Sequence, residues 1–199
     1  PDTDLAVLKI DIDNLQPISI GKSESAEVGD VVLAIGNPHG IGQTVTQGII
    51  SATGRAGLRL NTFENFLQTD AGISVGNSGG ALVDLDGNLL GINTASIGNT
   101  GSISFAIPST TAMHVLNEIL QHGFVIRGWL GLDAIPVTAR LARQLKTPIR
   151  HGLLIRAIAV NGPSDNLNLF PGDIVIKING VSVLDPQTSM TQLSKVQPG

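Results

Sequence analysis

Two short apolar runs, Ala81-Leu82-Val83-Asp84-Leu85 and Asn88-Leu89-Leu90-Gly91-Ile92, flank an Asp86-Gly87 pair. That pair predicts a tight β-hairpin, because both central residues of the favoured turn need φ > 0. The hairpin follows directly on Gly76-Asn77-Ser78-Gly79-Gly80. A serine between glycines suits nucleophilic chemistry. Its hydroxyl projects from a tight turn, and backbone N–H groups on either side can face an oxygen that becomes negative. A strand follows this serine, not a helix. The segment therefore fits neither the strand–turn–helix elbow of an α/β-hydrolase nor a phosphate loop that opens a helix.

The rest of the first 125 residues also reads as strands. Leu5-Ala6-Val7-Leu8-Lys9-Ile10 predicts a buried strand, and Pro17–Gly21 and Val31–Gly36 predict two more, with Gly29-Asp30 turning into the latter. Thr44–Thr53 is β-branched without a helical period, and Ile103–Ile107 is a strand closed by Pro108. One helix is expected over Thr110–His122, capped by Ser109 and stopped by Gly123. Ala112, Val115, Leu116, Ile119 and Leu120 lie on its apolar face.

A second unit, 126–199, is expected to mix α and β structure. Trp129–Ile135, Leu153–Val160 and Asp173–Ile178 read as strands, the last after a Pro171-Gly172 turn. Thr138 caps a short helix carrying Leu141 and Leu145. Asp185-Pro186 suits N-cap and N1 of a final helix with Met190 and Leu193 inward.

Composition excludes several functions. Hydrophobic residues make up 42% and charged residues 14%, the reverse of a disordered chain. A net charge of −4, no basic block and 3% aromatics argue against nucleic acid as a partner. The absence of cysteine removes disulfides, thiolate catalysis and Cys-based zinc sites. The charge-free stretch Gly87–Asn117 is rich in Gly, Asn, Ser and Thr and predicts no membrane span. Pro1-Asp2-Thr3-Asp4 has no basic n-region, so any targeting segment is expected outside these residues.

The segments around Ser78 resemble the HtrA family of serine proteases. The likeness is carried by Thr69-Asp70-Ala71, Gly76–Gly80, Gly91-Ile92-Asn93-Thr94, Gly29-Asp30 to Asn37-Pro38, Val45–Arg55 and Phe105-Ala106-Ile107-Pro108. Gln47–Arg55 and Ile126-Arg127-Gly128-Trp129-Leu130-Gly131 most resemble the DegS branch. The resemblance implies a mostly β chain: a trypsin-like double β-barrel with its first barrel incomplete (1–125), then a small, C-terminally truncated α+β PDZ domain (126–199).

It also implies roles. Ser78 matches the nucleophile, and Gly76, Asn77 and Ser78 match the oxyanion hole, through the N–H groups of Gly76 and Ser78. Asp4, within Thr3-Asp4-Leu5-Ala6-Val7-Leu8, matches the aspartate that orients the catalytic histidine. Asp70 takes no catalytic role. Trypsin-like enzymes run His, Asp, Ser along the chain, yet His39, His114, His122 and His151 all follow Asp4. The general base is therefore expected upstream, in a longer parent protein. The 199-residue chain alone is expected to be inactive, because a serine without a base stays protonated.

In the second unit, His151-Gly152-Leu153-Leu154 resembles the carboxylate-binding loop of a PDZ domain, with Leu154 lining an apolar pocket. Arg55 matches the loop region that senses peptide binding. The family implies a periplasmic homotrimer, anchored in the inner membrane through a segment outside this chain. It would act on unfolded or regulatory proteins in envelope quality control or stress sensing, with no cofactor or metal. The alternative is a non-catalytic PDZ sensor that binds peptide C-termini.

Overall fold

A computed structural model describes residues 2–97 and 103–184. The chain divides into two compact units, Pro1–Val125 and Ile126–Gly199.

The first unit is built on six strands: β1 (Val31–Gly36), β2 (Thr44–Arg55), β3 (Phe66–Thr69), β4 (Ala81–Val83), β5 (Leu89–Ser96) and β6 (Ser104–Pro108). They close into an antiparallel barrel in the order β1-β2-β3-β6-β5-β4, sealed by pairing of Leu33 and Ala34 with Val83 and Leu82. Closure leaves this sheet no free edge. Alternation in β1 puts Val32 and Ala34 inside, where they meet Ile50, Leu67, Leu82 and Ala106. A second cluster joins Phe66, Phe105 and Ile107, with the two rings tilted at 52° and 5.8 Å between centroids. Each such apolar side chain contributes roughly 1.5–3 kcal/mol by leaving water.

Helix α1 (Ser109–His122) follows β6 directly. Ser109 is the first helical residue, not the cap, and its hydroxyl donates to the Gly21 carbonyl at 2.8 Å. Gly123 ends the helix at φ +78°, with its N–H on the Ile119 carbonyl. Leu120, expected on the apolar face, is 69% exposed. Only Val115 and Ser109 are fully buried, so the packed stripe is narrower than the apolar spacing suggests.

Two expected strands do not form. Residues 5–19 lie in no strand, and Leu8 is 86% exposed. A strand exists only where its N–H and C=O groups find a neighbour. Among the described residues this segment has only the parallel bridge from Ile20 to Leu89. The hairpin at Asp86-Gly87 is present, but only Gly87 has positive φ (+80°). The Asp84 carboxylate instead accepts the N–H groups of Asp86 and Asn88, and so builds a longer turn.

The second unit holds β7 (Leu132–Pro136), α2 (Ala139–Gln144), β8 (Leu153–Ile158), β9 (Ile174–Val175), β10 (Lys177–Ile178) and β11 (Val181–Ser182). Strands β7, β8 and β9 form one antiparallel sheet in that order. Thr138 caps α2 by accepting the Leu141 N–H. Strand β7 starts only at Leu132, later than the expected Trp129. Asn179-Gly180, both at positive φ, form the two-residue turn between β10 and β11. The expected helix after Asp185 lies outside the described residues.

Candidate active site

Ser78 leaves the loop between β3 and β4 and is exposed. The loop's shape comes from backbone bonds. Asn77 N–H closes a turn onto the Ser74 carbonyl (2.9 Å), with Gly76 at φ +99° in the third position, where glycine alone is unstrained. On the far side, Gly79 N–H donates to the Asn93 carbonyl (2.8 Å), and Asn93 N–H donates to the Gly80 carbonyl (2.9 Å). The serine is thus pinned to β5. The N–H groups of Gly76 and Ser78 meet no acceptor among the described residues, so both are available to a developing oxyanion.

Asn77 does something different from its neighbours. Its side chain is buried and its N–H is spent on the turn. It sits so close to Gly36 that a Cβ there would fall 2.4 Å from Asn77 Oδ1 and 2.6 Å from its Cα. Asn77 therefore shapes the loop from behind rather than offering a donor in front.

Thr94 joins the serine to the aspartate. The Ser78 hydroxyl donates to the Thr94 carbonyl at 2.8 Å, and the Thr94 hydroxyl donates to Asp4 Oδ2 at 2.9 Å. Ser78 and Asp4, far apart in sequence, meet across one residue. The β5–β6 register slips between Asn93 and Ala95, which places Thr94 at a bulge. Bulges re-aim side chains beside active sites, and this one lets Thr94 serve both partners. Gly91–Thr94 is legible in the sequence as a motif, but the role of Thr94 is not, because a bulge leaves no compositional mark.

Among the described residues no histidine bonds to Asp4 or Ser78. His39 lies in the short 3₁₀ turn Pro38–Gly40, His114 and His122 lie on α1, and His151 belongs to the second unit. Asp70 accepts the Ile49 N–H at 2.7 Å, a structural bond to β2. Arg55 ends β2 and is exposed, with its Nε donating to Gln68 Oε1 at 2.7 Å.

A trypsin-like peptidase domain profile matches residues 1–92. The chain is 50% identical to an HtrA-type protease, AlgW, solved with a tripeptide, at TM-score 0.88, covering 100% of this chain and 67% of that one. The chain belongs to the HtrA family of serine proteases. AlgW with a decapeptide gives TM-score 0.89 at 50% identity, over 100% of this chain and 62% of that one. A probable periplasmic serine endoprotease, DegP-like, from Chlamydia pneumoniae is 44% identical over 186 residues, 92% of this chain but 38% of the relative. The chain thus spans well under half the length of that HtrA relative.

The segment expected to bind peptide in this HtrA chain, His151–Leu154, runs into β8. His151 is exposed, and Gly152 is buried at φ +116°, where a Cβ would fall 2.7 Å from the Val175 carbonyl. Leu153 and Leu154 pair with Pro136 and Ile135 on β7 and also with Val175 and Ile174 on β9. A strand paired on both sides cannot accept a third. Among the described residues, β7 and β9 are the two outer strands of this sheet.

Proposed function

We propose that this chain carries the nucleophile of an HtrA-type serine endopeptidase that cleaves unfolded or regulatory proteins in the periplasm, in envelope quality control or stress sensing. The supporting observation is the Ser78–Thr94–Asp4 connection. Ser78 Oγ attacks a peptide carbonyl, and the oxyanion is received by the N–H groups of Gly76 and Ser78. The amine leaves, and water then releases the acyl-enzyme. Asp4 orients a histidine that lies outside these 199 residues. The chain alone is therefore inactive, and the parent protein works as a homotrimer, anchored to the inner membrane through a segment elsewhere. Among the described residues no helix is long and apolar enough to cross a membrane.

The second unit acts as a PDZ module. A peptide C-terminus adds as a strand to an outer edge of the β7-β8-β9 sheet, and main-chain bonds supply affinity. Occupancy is communicated through the region of Arg55.

A serine-directed phosphonate tests the reading on the intact gene product. Labelling at Ser78, lost in Ser78→Ala, is the expected result. No labelling with retained peptide binding makes the protein a sensor without catalysis. Robust turnover by the isolated 199-residue chain that vanishes in Ser78→Ala would overturn its inactivity.

A further inference from the structure

The residues from Ala56 to Asn65, between β2 and β3, form no regular element, yet at their centre is a buried carboxylate that the mechanism above leaves unused. Glu64 is 1% exposed. Its Oε2 accepts the Leu58 N–H at 2.7 Å, and its Oε1 accepts those of Leu60 (2.6 Å) and Asn61 (3.1 Å). A buried charge is tolerated only where donors surround it, and three of those donors are the loop's own backbone N–H groups. The carboxylate is the template on which the loop folds.

The folded loop meets the segment that carries Asp4. Phe63 N–H donates to the Asp2 carbonyl at 3.1 Å. Leu58 and Leu5 pack on the same Phe66–Phe105–Ile107 cluster, one from the loop and one from the residue after Asp4. Asp4 itself holds φ +56°, in the left-handed region that aspartate tolerates better than most side-chain-bearing residues. The loop is rooted at Arg55 on one side and at Phe66 on the other.

We propose that Glu64 is a positioning residue for Asp4: by folding the 56–65 loop it fixes the backbone on either side of Asp4, and so the aim of its carboxylate. The proposal rests on the protease reading, in which Asp4 orients the catalytic histidine. Glutamine at position 64 keeps the size but replaces one acceptor oxygen with a donor, which repels a backbone N–H. The loop then loses its template and Asp4 loses its support.

The test is a double-mutant cycle in the intact gene product, with kcat and KM for a peptide substrate normalised to sites titrated by phosphonate. Glu64→Gln is expected to lower kcat per titrated site about tenfold, with KM changed less than about twofold, since a small misplacement of an orienting group acts on the chemical step. In an Asp4→Asn background the same change is expected to cost less than about twofold. A purely structural role lowers the number of titratable sites and leaves kcat per site alone, which overturns the proposal. An equal loss in both backgrounds overturns it too. Should Glu64→Gln fail to fold, Leu58→Ala keeps the three carboxylate bonds and removes only the packing. A loss of about threefold that disappears in Asp4→Asn supports the proposal, and an additive loss sinks it. The Ser78→Ala control separates the two levels. If it cleaves as well as the wild type, the protease reading falls and this inference with it. If it is inert while the cycle is additive, only the role of Glu64 falls.

Discussion

Ser78 leaves a loop tied on both sides into a closed barrel, whereas Asp4 lies on a segment with no ladder of its own. The serine loop is fixed by the Asn77–Ser74 turn, by Gly79 and Gly80 bonded to Asn93, and by Asn77 wedged against Gly36. The aspartate is held by one side-chain bond from Thr94, by Phe63 on the Asp2 carbonyl and by Leu5 in a shared cluster. Beyond Leu5, Leu8, Ile10 and Ile12 stand in solvent. The Ser78 loop is preorganised by the barrel. Among the described residues the Asp4 segment has fewer such ties.

This contrast makes the largest predicted effect the least discriminating one. Ser78→Ala in the intact protein should remove turnover by roughly a million-fold, as loss of a nucleophile does. Asp4→Asn should lower kcat by about 10⁴-fold and slow phosphonate labelling with it while leaving the fold intact, because a neutral partner holds the wrong histidine tautomer. If Asp4→Asn lost less than tenfold, the aspartate side would not belong to the site at all, and the connection through Thr94 would be only structural.

Gly36→Ala probes the serine side without touching a reacting atom. The added methyl collides with Asn77, and overpacking of this kind costs about 1–3 kcal/mol. Denaturant midpoints should fall, and phosphonate labelling at Ser78 should slow with them, since Asn77 lies between the two oxyanion donors. Labelling at the wild-type rate would show that the loop keeps its shape without this contact. Thr94→Val then sharpens the comparison from the other side. It removes the hydroxyl bonded to Asp4 but keeps the carbonyl that accepts from Ser78. The expected loss is about tenfold in kcat, in line with one neutral-to-charged hydrogen bond of roughly 1.5 kcal/mol or more. Thr94→Ser should restore most of it.

How much of this was legible before the structure follows the same division. Residues whose role is local were readable: the Asp86-Gly87 hairpin, the long run that became β2, the Thr138 cap, and Gly123 at the helix end all depend on neighbours a few positions away. Leu5–Ile10 has an equally good strand pattern but forms none, because a strand requires a partner that the pattern does not specify. Thr94 escaped notice because its double duty comes from a register slip between β5 and β6. The sequence of His151–Leu154 resembles a carboxylate loop, yet whether a strand is central or at an edge depends on sheet order. That order makes β8 the central strand, with β7 and β9 outside it.

The smallest predicted effect concerns the hairpin that joins the two sides of the comparison. Strand β4 leaves the serine loop and β5 carries Thr94, and the turn between them is organised by Asp84. Partial burial pushes the Asp84 carboxyl up. The Asn88 side chain and the N–H groups of Asn88, Asp86 and Gly87 outweigh that together and hold it below its ordinary value. A group depressed in the folded state contributes stability above its unfolded pKa and loses it as pH falls through the folded one. Acidification below the ordinary aspartate range should therefore loosen this turn, and amide exchange at Asp86 and Asn88 should rise there once corrected for the slower intrinsic rate. Asp84→Ala should remove this pH dependence and cost about 1 kcal/mol at neutral pH. Because the bonds of the Asp84 carboxylate stay within residues 84–88, the Phe63 amide bonded to Asp2 should keep its protection under the same conditions. Equal loss of protection at both places would mean that the two sides of the site do not unfold separately, and the distinction drawn between them would not hold.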